Sequence, residues 1–379
     1  MTLKRYISMS KPIERRQFVQ TLSAGLAAGM AAGGYFSSSV HGADSKKLGW
    51  ALVGLGSLST NQIAPGLLNS EHCKLTAIVT GTPKKEKVWA DKYGVGTDHI
   101  YNYETFDKIA NDDTVDVIYI VLPNSMHCEY VKRAAKAGKH VFCEKPMANT
   151  SQECREMIAA CQSAQRHLGI GYRCQFQPHN MACIEFAQKK AFGDLRHIDA
   201  GFGFKIGDPT QWRLRKSLAG GGALMDVGIY ALQACRCLTN EEPIEIVAQE
   251  TKTDPVKFAE VDESINWSMK FPSGVMANCS TSYNYNGINR YRAYADKGDF
   301  GLDPAYSYEG IQGSSSKGKI EAPKTDQFAA EMDAFAKTVK LGEPNRVPGE
   351  EGLLDLLAIE AIYKSIATGQ SIEPEKVDV

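Results

Sequence analysis

The sequence predicts an α/β fold whose first domain is a doubly wound parallel sheet, and three observations carry that prediction. The chain has 379 residues, which at roughly 150 residues per domain implies about two domains. A glycine turn, Gly54-Leu55-Gly56-Ser57-Leu58-Ser59, follows a short apolar run and opens a helix-like stretch. Strand-length apolar runs and helical segments then alternate, the pattern of repeated βα units around a parallel sheet.

The first strand is Leu48 to Val53. Gly54 permits the tight turn after it and Gly56 lets backbone approach a pyrophosphate, whose charge suits the N-terminus of the helix running to Leu68. Ser59 stands at the third fingerprint position, still small enough for close helix–strand packing. Leu75 to Val79 is the second strand, about 20 residues on, and a carboxylate at its end would bind the ribose hydroxyls of NAD. Thr80-Gly81-Thr82-Pro83-Lys84-Lys85 stands there instead, hydroxyls and cations suited to the 2′-phosphate of NADP. A helix ending over Trp89 to Tyr93 and another over Thr105 to Ala110 lead to the apolar strand Val115 to Leu122. The loop Pro123-Asn124-Ser125-Met126-His127, a helix to Ala137 and the strand His140 to Cys143 follow. That loop and Glu144-Lys145-Pro146 both fall at carboxyl ends of strands, where such sheets bind ligands.

Composition is ordinary globular, with 43% hydrophobic and 23% charged residues, and no apolar run reads as a membrane span. The net charge of −1 leaves no footprint for nucleic acid or an acidic membrane. That charge is unevenly spread. Lys4, Arg5, Lys11, Arg15 and Arg16 face only Glu14 in the first 42 residues, so the remainder carries about −5. Arg15-Arg16-Gln17-Phe18-Val19 precedes an Ala/Gly-rich apolar stretch, Leu22 to Phe36, and then small residues to Ala43. This is the order of a twin-arginine (Tat) export signal over residues 1–43, placing the mature protein in the periplasm. The ten cysteines form no C-x-x-C pair and read as buried free thiols, and the eight histidines offer no metal-binding spacing.

Motifs spread along the chain carry a resemblance. Gly54-Leu55-Gly56, Leu122-Pro123-Asn124-Ser125-x-His127, Gly138-Lys139-His140-Val141, Cys143-Glu144-Lys145-Pro146-Met147 and Gly171-Tyr172-Arg173 lie in the first half. Gln211-Trp212-Arg213-Leu214-Arg215, Gly220-Gly221-Gly222-x-Leu224-Met225-Asp226-x-Gly228-Ile229-Tyr230, Glu242-Pro243-Ile244-Glu245 and Pro348-Gly349-Glu350-Glu351-Gly352 lie beyond. Together they resemble the glucose-fructose oxidoreductase/inositol dehydrogenase (Gfo/Idh/MocA) family. The resemblance implies an NADP-binding Rossmann domain, over 44–168, then an α+β substrate domain, over 169–379, built on a large, mostly antiparallel open sheet that often makes homo-oligomer contacts. Alternating runs at Arg196 to Phe204, Ile244 to Thr251, Ser264 to Phe271, Val275 to Tyr283 and Arg290 to Ala295 are compatible with such a sheet. Gly313 to Gly318 reads as a flexible loop.

A dehydrogenase acting on a sugar hydroxyl passes a hydride to the nicotinamide and needs a protein group for the proton. Asp226 and Tyr230, four residues apart, project from one face of the helix opened by the three glycines, while Lys145 ends a strand of the cofactor domain. In the resembling family these three positions form the catalytic site. Tyr230 is then the general acid/base, Lys145 lowers its pKa and binds the reacting oxygen, and Asp226 orients the lysine or substrate hydroxyls. The cofactor site comprises Gly54, Leu55, Gly56, Ser57, Leu58, Thr80, Gly81, Thr82, Lys85, Leu122, Pro123, Asn124, His127, Glu144 and Lys145. Tyr172 and Arg173 are expected at its adenine or nicotinamide side, and Trp212 and Arg213 contact sugar or cofactor. His127 could instead cap the helix that begins there.

Export sharpens the expected reaction. No pool of free NADP exists outside the cytoplasm, so a retained cofactor must be regenerated in its own site. That favours ping-pong chemistry in which an aldose is oxidised at C1 to its lactone and a second sugar, such as fructose, is reduced to a polyol. Two alternatives stay open: an NADP-dependent aldose dehydrogenase or 1,5-anhydrofructose-type reductase with exchangeable cofactor, and a noncatalytic NADP-loaded sugar sensor. Only about five residues separate Ala43 from the first strand, which leaves cofactor retention open.

Overall fold

Six parallel strands build the first sheet in the computed structural model, which describes residues 46–377; the expected export signal lies outside them. They are β1 (Leu48–Val53), β2 (Cys73–Val79), β3 (Ile100–Tyr101), β4 (Val117–Ile120), β5 (His140–Glu144) and β6 (Leu168–Gly171), in spatial order 3-2-1-4-5-6. The order reverses between β1 and β4, so a crevice for a ligand opens above their carboxyl ends. All of β4 is buried, as is β1 after its first residue, which explains their unbroken apolar sequences. Trp50 of β1 makes edge contacts with Tyr119, Phe142 and Phe335, at centroid separations of 5.9, 5.8 and 6.1 Å.

Phe335 comes from the helix Gln327–Leu341, almost at the end of the chain. The C-terminal segment therefore returns to cover the first sheet. The sequence boundary at 168/169 cuts through β6, whose residues 169–171 pair with Phe142 to Glu144 of β5. One compact unit, Lys47–Glu375, contains both sheets.

The second sheet has eight strands: β7 (Leu195–Gly203), β8 (Glu245–Thr251), β9 (Ser264–Lys270), β10 (Met276–Ser282), β11 (Ile288–Ala295), β12 (Gly298–Leu302), β13 (Gly313–Ser315) and β14 (Gly318–Ile320). Their order is 14-13-12-11-7-10-9-8, antiparallel except where β7 meets β10. Burial alternates along β8, as expected of a sheet with one covered face. The expected flexible loop at 313–318 is instead an edge hairpin, because Gly313 and Ser315 extend the ladder from β12. The ten cysteines are free, and all but Cys174 are buried.

The helix Ile229–Thr239 packs under β7 and is entered through a π-helical turn, Leu224–Gly228. Asp262 fixes this entry from a distant loop. Its carboxylate accepts from the backbone N–H of Gly222 at 2.6 Å and of Leu224 at 2.8 Å, an N-terminal cap supplied from 40 residues away. A side chain at residue 222 would place its Cβ 2.1 Å from the Asp262 carbonyl oxygen, so the close approach requires glycine.

Candidate active site

The glycine turn has the geometry a dinucleotide needs. Gly54 adopts φ +88°, and a Cβ there would lie 2.2 Å from the Val121 carbonyl oxygen. At Gly56 a Cβ would meet nothing within 4 Å, leaving bare backbone open at the start of the helical segment that begins at Ser59. Ser59 does more than stay small. Its buried hydroxyl donates to the Gly54 carbonyl at 2.5 Å and ties the turn to the helix. Leu55 is buried beneath the turn while Ser57 is exposed and Leu58 half-buried along it. Lys85, on the helix Pro83–Tyr93, reaches back to donate to the Leu55 carbonyl at 2.7 Å. Thr80 is buried and its hydroxyl accepts from the Thr82 N–H at 3.2 Å, with Gly81 exposed between them. The residues present thus fit a dinucleotide, with hydroxyls and a cation where a 2′-phosphate would lie.

Lys145 follows β5 directly, and its Nζ donates to the Asp226 carbonyl oxygen at 2.6 Å and lies 3.4 Å from the Asp226 Oδ1. Asp226 Oδ2 also accepts from the Tyr283 hydroxyl at 2.9 Å and pairs with Arg213 Nε at 3.2 Å. Burial alone would raise the Asp226 carboxyl, but the charges of Lys145 and Arg213 more than offset it and hold the group below the usual aspartate value. Asp226 is therefore a hub that fixes Lys145, rather than a free hydrogen-bond acceptor. Arg213 in turn lies over the Trp212 ring, 4.6 Å from its centroid.

Lys145 Nζ is 4.8 Å from the centroid of Tyr230, and the Arg173 guanidinium is 4.9 Å from the same ring. Asp226 and Tyr230, expected on one helix face, both lie beside Lys145, Asp226 within the π-helical entry to the helix. The expected route to a lower tyrosine pKa is corrected. Burial pushes the Tyr230 hydroxyl up, and the chief opposing influence is Arg173, not Lys145. Arg173 is itself buried, held by the Tyr306 carbonyl at 2.6 Å and Gln327 Oε1 at 2.8 Å, and covered by Tyr308.

Other residues expected at the cofactor site also make contacts within the protein. His127 is fully buried, with Nε2 2.9 Å from the Leu122 carbonyl and Nδ1 3.0 Å from the Pro146 carbonyl. It clips the loop after β4 to the loop after β5 and so positions Lys145. Glu144 is buried and accepts from the Tyr119 hydroxyl at 2.7 Å. Tyr172, just after β6, is buried, with its hydroxyl beside Asp355. Asn124 donates to the Ala219 carbonyl at 2.9 Å and joins the two sheets' loops, while Leu122 is buried and Pro123 half-buried beside it. Tyr283, Tyr308 and Asp262 were beyond the reach of sequence reasoning: each enters through the register of the second sheet or a loop far along the chain.

The chain as a whole is similar to proteins already known. Residues 48–172 match the oxidoreductase family with an NAD-binding Rossmann fold, GFO/IDH/MocA, and residues 182–300 match the GFO/IDH/MocA C-terminal domain. The crystal structure of an aldose-aldose oxidoreductase from Caulobacter crescentus superposes with a TM-score of 0.84 at 45% identity, over 86% of this chain and 100% of that one. A D-xylose 1-dehydrogenase [NADP(+)] from Haloarcula marismortui is 29% identical, over 85% of this chain and 92% of its own. A 1,5-anhydro-D-fructose reductase from Ensifer adhaerens is 24% identical, over 86% and 98%. With both domains matched by the family and a solved structure 45% identical over 86% of the chain, the chain belongs to the Gfo/Idh/MocA family of oxidoreductases.

Proposed function

We propose that the protein is an NADP-dependent sugar oxidoreductase that oxidises an aldose at C1 to its lactone and then reduces a second sugar in the same site. The observation that carries this reading is the cluster of Lys145, Asp226, Arg213, Tyr283 and Tyr230 at the carboxyl end of β5, in the sheet whose β1 ends in the dinucleotide turn. The names of the xylose dehydrogenase and of the aldose-aldose oxidoreductase support sugar as the substrate class and NADP as cofactor. Thr80, Thr82 and Lys85 agree with that cofactor, with no carboxylate at the end of β2.

When bound, NADP accepts the hydride of the first sugar and, once reduced, supplies one to the second. The protein's own groups handle the proton. Tyr230 takes it from the C1 hydroxyl and returns it to the carbonyl oxygen of the acceptor. Lys145, held by Asp226, donates a hydrogen bond to the reacting oxygen, and Arg173 steadies the developing tyrosinate. Trp212 and Arg213 offer an aromatic face and a guanidinium to sugar C–H and hydroxyl groups.

The test is to purify the protein, remove free cofactor, and add glucose and then fructose or xylose while following reduced-nicotinamide absorbance. A rise with the first sugar and a fall with the second, repeated over many turnovers, is the expected result. A rise that needs added NADP for each turnover would favour an exchangeable-cofactor dehydrogenase, and no change with any aldose would leave only a sensor. Export through the Tat route fits a retained cofactor, and Arg15→Lys with Arg16→Lys should leave the protein in the cytoplasm. A homo-oligomer through the second sheet fits its open face, where a concavity of about 1150 Å³ is lined by Asp199, Val247, Arg290 and Tyr294; the mass in solution decides it.

A further inference from the structure

Beneath the site, two buried acids converge on one phenol. The Tyr119 hydroxyl lies 2.7 Å from Glu144 Oε1 and 3.3 Å from Glu331 Oε1. All three side chains are in the interior, Tyr119 and Glu331 fully so. A phenol carries one hydrogen and can give a full hydrogen bond to only one of them, the other receiving at best the weak arm of a shared bond. The shorter contact marks Glu144 as the acceptor. The other contact is then a full hydrogen bond only if Glu331 supplies the hydrogen. The second oxygen of Glu331 has no partner and is buried, a costly place for half of a carboxylate and a tolerable one for the carbonyl of a neutral acid.

We propose that Glu331, Tyr119 and Glu144 form a hydrogen-bonded chain in which a neutral Glu331 donates to Tyr119 and Tyr119 donates to an ionised Glu144. Glu331 is then a positioning residue, acting through Glu144 on the active-site cations. The groups facing Glu144 are Tyr119, Cys143, Lys145, Arg173, Tyr230, Tyr308 and Glu331; those facing Glu331 are Tyr119, Glu144, Arg173, Cys174 and Asp326. Burial raises both carboxyls, Glu331 further, because Glu144 adds a like charge to it while Tyr119, Lys145 and Arg173 favour the ionised form of Glu144. The proton count of the chain stands on these contacts alone, and only its link to turnover rests on the proposed oxidoreductase reaction.

Infrared spectroscopy of the intact protein reads the proton directly. A neutral-carboxyl carbonyl stretch should persist above about pH 8, where ordinary carboxyls are ionised, and Glu331→Gln should remove it. The amide of that variant can still donate to Tyr119, so turnover should stay within about twofold and keep the wild-type pH profile, whereas Glu331→Ala should lose about tenfold in kcat. Tyr119→Phe removes the donor that favours ionised Glu144, so the acid limb of kcat should move to higher pH. A wild-type spectrum without the band above about pH 8, or a Glu331→Gln enzyme as impaired as Glu331→Ala, overturns the proposal. A persistent band with no turnover in any variant would keep the proton and reject the reaction.

Discussion

Tyr230→Phe should cut turnover by roughly 10²–10⁴-fold, the range lost when a general acid/base is removed, while leaving the fold and cofactor binding in place. The substitution deletes one oxygen and keeps the ring, so the contacts of Lys145 and Arg173 with its face survive. The packing of the ring on Phe202 and Tyr306 also survives. The two half-reactions should differ in pH dependence. Burial pushes the Tyr230 hydroxyl above its usual value of about 10, so the tyrosinate needed for sugar oxidation is scarce at neutral pH and grows as pH rises. Reduction uses the protonated phenol and should stay flat over the same interval. Single-turnover absorbance measurements from about pH 6 to 9 separate the two. If the phenylalanine variant oxidises aldose at the wild-type rate, the proton goes elsewhere and Lys145 becomes the first candidate.

The parallel first sheet and the place of Lys145 were legible because both rest on local chemistry: a glycine turn after a buried strand, and a strand end after an apolar run. Tyr230 and Asp226 were legible through their spacing and the family resemblance. Their surroundings were not. Tyr283 reaches Asp226 only because β10 ends beside the π-helical entry to the catalytic helix, a matter of sheet register that no local pattern encodes. His127 and Glu144 sit in motifs that invite a cofactor role, yet each spends its polar atoms in the interior, one on loop carbonyls and one on a phenol. Motif membership identified residues that matter without separating those that touch a ligand from those that hold the residue next door.

Arg236→Leu should destabilise the protein by about 3–5 kcal/mol, the cost of leaving buried charge without its partner. Arg236 is fully buried on the helix that carries Tyr230. Its guanidinium donates to Glu242 at 2.5 and 2.8 Å, to Glu351 at 3.3 Å and to Asp355. Glu242 and Glu351 belong to two motifs of the family resemblance, and the structure gives them this shared physical role. Asp355 and Glu351 lie on the long helix Gly349–Thr368, so the cluster ties that helix to the one that carries Tyr230. Burial already raises Asp355 to about 6 against the opposing charge of Arg236, and losing the arginine drives it higher. A carboxyl whose folded pKa exceeds its unfolded one contributes stability at pH below the unfolded value and loses it as pH climbs through the folded value. The penalty of Arg236→Leu should therefore be full near about pH 8 and shrink toward about pH 5, where the orphaned Asp355 can take up a proton. Denaturant unfolding at both pH values checks this. A pH-independent loss would mean that the arginine acts by filling space and not by balancing charge. Adding Asp355→Leu to Arg236→Leu should then recover stability at pH 8 only if the charge account is right.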